Sequence, residues 1–127
     1  MVTYQNILVG TDFSARADVA VEAAVELARS TEGARITLVH VLDTTLGGNA
    51  LPYDLTGEER AAREEEALDA ARDRLRETAD TLTGVDVGVE VRRGHPAKEL
   101  ARAAVALKGD LIVTATQGYG AIKRAIL

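Results

Sequence analysis

The sequence predicts an α/β domain built on an open, doubly wound parallel sheet with helices on both faces. Short apolar segments alternate along the chain with longer segments whose apolar residues recur at helical spacing. Two of the short segments, residues 36–42 and 110–115, are largely apolar, as is typical of strands covered on both faces. Strands and helices that alternate in this way favour a parallel sheet with right-handed crossovers.

The first strand and the first helix are predicted close to the start of the chain. Residues 6–10 form a short buried strand, and Ser14 is suited to accept hydrogen bonds from the free amides of a helix start. Residues 15–30 carry their charges on one face, which predicts a helix lying on the sheet, and Gly33 stands where a C-terminal cap belongs. The predicted buried stripe of this helix contains Val19, Ala20, Ala23, Ala24 and Leu27.

A long charged helix is predicted between the second and third strands. Residues 36–42 form the second strand. Thr56 and Glu59 have the spacing of a capping box, which predicts a helix from there to about residue 81. Its apolar residues form one narrow stripe, so the remaining charges indicate a solvated face.

The third strand has a different pattern from the others. Residues 85–92 alternate between valines and polar residues, which predicts an outer strand with one wet side. Pro96 suits the first turn of the following helix, and Gly109 ends that helix before the fourth strand. The predicted buried stripe of the helix contains Ala97, Leu100, Ala101, Ala104 and Val105.

These elements predict a single domain over residues 1–127 with the strand order 3-2-1-4. The winding direction then reverses between the first and fourth strands, and open sheets of this kind bind ligands beyond the carboxyl ends of the strands at the reversal. The loops at 10–14 and 114–120 are expected to meet there.

Both loops have residues suited to holding a nucleotide. Asp12 could accept from a ribose hydroxyl, or hold magnesium together with phosphate oxygens. Gly118 and Gly120 could let backbone amides approach a phosphate closely. The same residues also fit a simpler interpretation, in which Asp12 bonds the backbone of a turn and the glycines permit a tight one.

Composition and motifs exclude several classes of function. The net charge is −5 and the aromatic residues are three tyrosines and one phenylalanine, which argues against nucleic-acid binding. The chain lacks cysteine, a signal-like start and any apolar run near the roughly 18 residues of a membrane span. We therefore expect a cytoplasmic protein that is not associated with a membrane.

No arrangement of catalytic residues is recognisable. A G-x-x-x-x-G-K-[ST] phosphate loop is absent, and the glycines after residue 117 depart from a dinucleotide fingerprint at Lys123. His40 lies among apolar strand residues, as is typical of a hydrogen-bonded core histidine, and His95 fits a turn or a helix cap. Neither histidine has a partner at metal-ligand spacing, so we expect no enzymatic activity and no metal held by the protein alone.

Four blocks of the sequence resemble the universal stress protein family in order and spacing. They are ILVGTDFS at 7–14, LVHV at 38–41, RGHPA at 93–97 and DLIV at 110–113. The resemblance implies a five-strand parallel sheet of order 3-2-1-4-5, a homodimer formed through the last strand, and ATP binding through the pattern G-x-x-G, nine residues, then G-[ST].

The resemblance also implies which residues would bind ATP. Thr11 and Asp12 match the first-loop contacts, and Val41 matches the position whose backbone meets adenine. Gly118 matches the second glycine of the pattern, and Gln117 the residue before it.

The chain departs from the family pattern at two places. Ala115 stands where the first glycine is expected, and its methyl group could crowd a phosphate. The chain also stops before the G-[ST] pair, so that the last helix and fifth strand of the family are missing and the domain is expected to be truncated at its C-terminus. An uncovered apolar edge on the fourth strand would then recruit a second chain.

Three functions are weighed on these grounds. The first is a stress-response module that binds ATP or a related adenine nucleotide, and the second is a nucleotide-independent dimeric interaction protein of the same fold. The third, a phospho-acceptor receiver domain, is disfavoured because Asp12 has no acidic neighbours in its loop and the third strand ends in Arg92 and Arg93.

Overall fold

The computed structural model describes residues 3–45 and 56–115, together with the backbone of 122–125. The elements in chain order are β1 (Asn6–Gly10), α1 (Ala15–Arg29), β2 (Arg35–Asp43), α2 (Gly57–Thr81), β3 (Asp86–Gly94), α3 (Pro96–Ala106), β4 (Leu111–Ala115) and β5 (Ile122–Ala125). In these described residues no helix is long and apolar enough to cross a membrane.

The strands form one sheet in the order β3-β2-β1-β4-β5. β1 pairs in parallel with β2 on one side and with β4 on the other, and β2 pairs in parallel with β3. The predicted α/β class, the order 3-2-1-4 and the edge position of the alternating strand β3 are therefore confirmed.

The far edge of the sheet differs from the prediction. β5 runs antiparallel along β4, with Ile122 opposite Ala115 and Ala125 opposite Ile112. The prediction that no strand of this chain covers the outer edge of β4 is therefore wrong. An antiparallel pair of strands needs no crossover helix between them.

Side chains that alternate along the central strands build a separate core on each face of the sheet. Ile7, Val9, Ile36 and Leu38 pack with α1 and α2 on one face. Leu8 points to the other face and packs with residues of α3 and β4. This alternation places helices on both faces, as a doubly wound sheet requires.

The predicted caps are formed at all three helix starts. Ser14 accepts from the amide of Ala17, Thr56 and Glu59 form the reciprocal capping box, and His95 accepts from the amide of Lys98. The prediction of Gly33 as the C-terminal cap of α1 is wrong, because Ser30 occupies that position. Gly33 instead supplies a positive φ of 81° in the turn before β2.

The buried faces of α1 and α3 are rotated from their predicted positions. Val19 and Leu27 of α1 are 47% and 37% exposed, and Val105 of α3 is 82% exposed. The buried residues of α1 are Ala17, Ala20, Val21, Ala24, Val25 and Ala28, and those of α3 are Glu99, Ala103 and Ala104. A wide stripe of alanine and valine does not determine which side of it meets the sheet, and packing decides.

An ion-pair network fills the space between β3 and the start of α3. Arg92 donates to Glu90 at 2.8 Å and to Glu99 at 3.2 Å, and Arg102 also pairs with Glu99. The polar side of β3, predicted to face water, is therefore partly covered by α3.

The ion pairs shift the pKa values of Glu99 and Arg92. The hydrogen bond from Arg102 lowers the pKa of Glu99 below its ordinary value; burial opposes this shift, and the hydrogen bond from Arg92 assists it. Burial opposes the charge of Arg92, but hydrogen bonds to Glu90 and Glu99 raise its pKa overall.

The lowered pKa of Glu99 predicts a loss of stability in acid. The ionised Glu99 carboxylate contributes fully to the free energy of unfolding above the ordinary glutamate pKa of about 4.3. This contribution disappears as the pH falls through the lower pKa of the folded state. Denaturant unfolding of Glu99→Gln should therefore show a smaller fall in the free energy of unfolding between neutral and acidic pH than the parent. Glu66→Gln, at an exposed position of α2, is the matched control. Equal pH dependence in all three proteins would contradict this account.

Candidate functional site

A crevice of about 600 Å³ opens at the carboxyl ends of the central strands. It lies where the winding direction reverses, between β1 and β4, as predicted for a doubly wound sheet. Its lining residues come from the ends of β1, β2 and β4, the turn after β1, and helices α1 and α3. Most of the side chains on these walls are apolar.

The turn after β1 brings Thr11 and Asp12 to the crevice. The carboxylate of Asp12 accepts from the amide of Ser14 at 2.9 Å, and the hydroxyl of Thr11 accepts from the amide of Phe13 at 3.1 Å. Asp12 therefore acts as a turn residue, as the simpler interpretation predicted, and it also lines the crevice. The two interpretations of Asp12 are compatible, because a turn that bonds its own backbone is an ordered one.

β2 extends past the end of β1 and presents Val41 to the crevice. The Thr11 amide donates to the carbonyl of Val39 at 2.9 Å, so the backbone polar groups of Val39 face β1. These groups alternate in direction along a strand, which turns those of Val41 toward the same side, beyond Gly10. The position is suited to pairing with the polar edge of a planar ring.

The opposite wall comes from β4. Thr114 and Ala115 line the crevice beside Gly10. A Cβ atom on Gly10 would lie 3.0 Å from Cδ2 of Leu100 and 3.1 Å from Oγ1 of Thr114, so a larger residue there would require both side chains to shift. The candidate residues Gln117 and Gly118 lie outside the described residues.

Helix α3 forms a third wall, which the sequence patterns did not predict. Pro96, Ala97, Leu100 and Ala101 line the crevice. The predicted buried stripe contains Ala97 and Ala101, but both residues are exposed because they border this opening. The small size of these alanines is consistent with a wall that leaves space for a ligand. The predicted buried stripe of α3 was displaced by about one position from the observed one, which hid this wall.

The two histidines have the roles expected of hydrogen-bonded residues. His95 caps α3, as predicted. His40 is satisfied by the carbonyl of Thr11, 2.8 Å from its Nδ1 atom, although it is half-buried beside the crevice and not in the core. Neither belongs to a metal cluster, because no group of three potential metal-ligating side chains occurs in residues 3–45 and 56–115.

The charges at the crevice are acidic. Asp12 and Asp43 line it, and the lining residues within the described chain include no lysine or arginine. These two carboxylates would repel a polyphosphate unless a cation accompanied it.

Comparisons with known proteins agree on one family. The model of the universal stress protein family matches residues 3–127. A curated Staphylococcus aureus universal stress protein is 30% identical over 129 residues, which cover 100% of this chain and 75% of the relative.

Solved structures of the same family have the same fold. UspA from Lactobacillus plantarum superimposes with a TM-score of 0.66 at 27% identity, covering 94% of this chain and 83% of that one. A Burkholderia pseudomallei family member has a TM-score of 0.58 at 35% identity, covering 89% and 82%. A universal stress protein in complex with cAMP has a TM-score of 0.54 at 23% identity, covering 87% and 75%, and this likeness shows the fold alone.

The close approach at Gly10 predicts that Gly10→Ala costs about 1 kcal/mol of unfolding free energy, because Leu100 and Thr114 must both shift. Gly57→Ala is the matched control, since nothing lies within 4 Å of its added Cβ, and it should stabilise by about 0.5 kcal/mol. Urea unfolding measures both variants. Equal stability of the two would contradict the packing described at Gly10.

Proposed function

The chain belongs to the universal stress protein family, and from this premise we propose that it is a stress-response module that binds ATP or a related adenine nucleotide. The observation that carries the proposal is the crevice between the carboxyl ends of β1 and β4. Its volume of about 600 Å³ is in the range of small-molecule and cofactor sites.

The walls of the crevice suit the parts of an adenine nucleotide. Val41 and Leu100 offer apolar surface to a base, and the backbone of Val41 offers a donor and an acceptor at its edge. Thr11 and Asp12 offer a hydroxyl and a carboxylate to a ribose. These groups come from β2, from α3 and from the turn after β1.

Ala115 bears on how well the crevice can hold the phosphates of a nucleotide. Its methyl group borders the crevice where the family pattern has glycine, so it reduces the space for a phosphate. The same methyl group favours the second candidate function, a dimeric interaction protein that works without a nucleotide. Binding measurements distinguish the two candidates.

The proposal is for a binding module and not for a hydrolytic enzyme. At the crevice, Thr11 and Asp12 are engaged in hydrogen bonds within the turn after β1, and Asp43 accepts from the amide and hydroxyl of Thr45. The homodimer and the cytoplasmic location remain predictions.

Asp12→Asn should weaken ATP binding about tenfold, because it removes a charged acceptor and keeps the oxygen that holds the amide of Ser14. Asp80→Asn, an exposed position on α2, is the charge-matched control. Isothermal titration calorimetry of the whole chain with ATP and magnesium measures both. The proposal fails if the parent chain shows no saturable binding in the millimolar range, which would leave the nucleotide-independent candidate.

Removal of magnesium should weaken ATP binding by about tenfold or more and leave AMP binding nearly unchanged. The acidic crevice repels a triphosphate more than a monophosphate, and the cation offsets that repulsion. Titration of both nucleotides with magnesium and with a chelator tests this. Loss of AMP affinity equal to that of ATP would show that the cation acts elsewhere.

A further inference from the structure

Three side chains form a stack directly behind the turn after β1. The ring of Phe13 lies 4.6 Å from the ring of His40, with 29° between their planes. The guanidinium carbon of Arg74, on α2, lies 4.0 Å from the centroid of the Phe13 ring. Phe13 is therefore in contact with β2 through one neighbour and with α2 through the other.

The stack lies on the α1 and α2 face of the sheet. His40 follows Ile36 and Leu38 at two-residue spacing, and those two side chains belong to the core beneath α1 and α2. Phe13 packs against the same core. Arg74 does not line the crevice, although Phe13 follows directly on two residues that do.

Phe13 has an unusual backbone conformation. Its φ of 67° lies in the left-handed region, which residues with a Cβ atom disfavour. Such a conformation persists only where the surroundings enforce it, and it is found disproportionately at functional sites. The two neighbours in the stack and the bond from its amide to Thr11 enforce it here.

His40 holds the same turn through a second contact. Its Nδ1 atom lies 2.8 Å from the carbonyl oxygen of Thr11. A carbonyl only accepts, so Nδ1 carries the hydrogen of this bond. One imidazole thus supports the backbone of Thr11 and the ring of Phe13.

The stack is not enclosed by dense packing. A cleft of about 190 Å³ borders Thr11, Phe13 and Arg74 on this side of the sheet. Arg74 is exposed, and it could leave the ring without creating a buried void. The contacts of Arg74 and His40 therefore add to the hydrogen bonds within the turn and to the packing of Phe13 against the core.

We propose that Phe13, His40 and Arg74 are positioning residues that hold Thr11 and Asp12 in their ligand-binding arrangement. The inference rests on the proposed nucleotide site and adds residues outside the crevice that regulate its affinity. Through Arg74, the surface of α2 sets the affinity of a crevice that it does not touch. A partner or a modification that draws Arg74 away would lower the fraction of chains able to bind.

The first experiment compares Arg74→Met with Arg76→Met, which removes the same charge from an exposed position on the same helix. AMP titration by calorimetry should show affinity about threefold weaker for Arg74→Met and unchanged for Arg76→Met. Arg74→Lys keeps a cation over the ring and should retain most of the affinity. Equal affinity of Arg74→Met and Arg76→Met would overturn the proposal.

A second pair of variants separates the two contacts of His40. His40→Asn keeps a donor near the Thr11 carbonyl and loses the ring, and His40→Phe keeps the ring and loses the donor. Each should weaken AMP binding about fivefold when measured well below the melting temperature. A purely structural role of His40 would lower the melting temperature and leave the AMP affinity of the folded protein, measured well below that temperature, unchanged. This result would contradict the proposal.

A measurement without ligand tests the positioning role separately from the nucleotide proposal. Amide hydrogen exchange at Phe13 and Ser14 reports the order of the turn in the free protein. Exchange should be faster in Arg74→Met and in both His40 variants than in the parent and in Arg76→Met. Unchanged exchange would overturn the positioning role even if AMP binds. Faster exchange in these variants, together with a parent chain that binds neither AMP nor ATP, would retain the positioning role and refute the nucleotide proposal.

Discussion

The site depends on the parallel pairing of β1 with β2 on one side and β4 on the other. At its start, β1 is joined to β4 by Asp110, whose carboxylate accepts from the amides of Gln5 and Asn6 at 2.8 and 3.0 Å. At its end, the Thr11 amide still bonds to Val39 before the chain turns away. Because β1 stops there while β2 continues, a gap opens between β2 and β4, and the crevice occupies that gap.

The two faces of the sheet contribute different properties to this site. On one face, α3 supplies an apolar wall, and the network around Glu99 and Arg92 holds that helix against β3. On the other face, Phe13 and Arg74 support the turn that carries the polar groups. The shape of the crevice therefore depends on α3, and the placement of its polar groups depends on α2.

Local patterns in the sequence were sufficient to predict the elements from β1 to β4, their order and the first loop of the site. Strict alternation predicts β3 as an edge strand. The strand order that follows reverses its winding direction between β1 and β4, which places Asp12 at the predicted site. Other features depend on contacts between distant residues. The rotation of α3 is decided by packing, since both sides of its stripe are small and apolar, and nothing local distinguishes an antiparallel β5. Arg74 lies 61 positions from Phe13, so no spacing in the sequence connects them.

The central claim is that a nucleotide occupies the gap at the end of β1. Chemical-shift mapping of backbone amides during titration with AMP tests it most directly. The account predicts saturable shifts at Thr11, Asp12, Val41 and Ala115, at the carboxyl ends of the strands. Saturable shifts confined to the opposite ends, near Arg35, Asp86 and Asp110, or no saturable shifts at all, would contradict it.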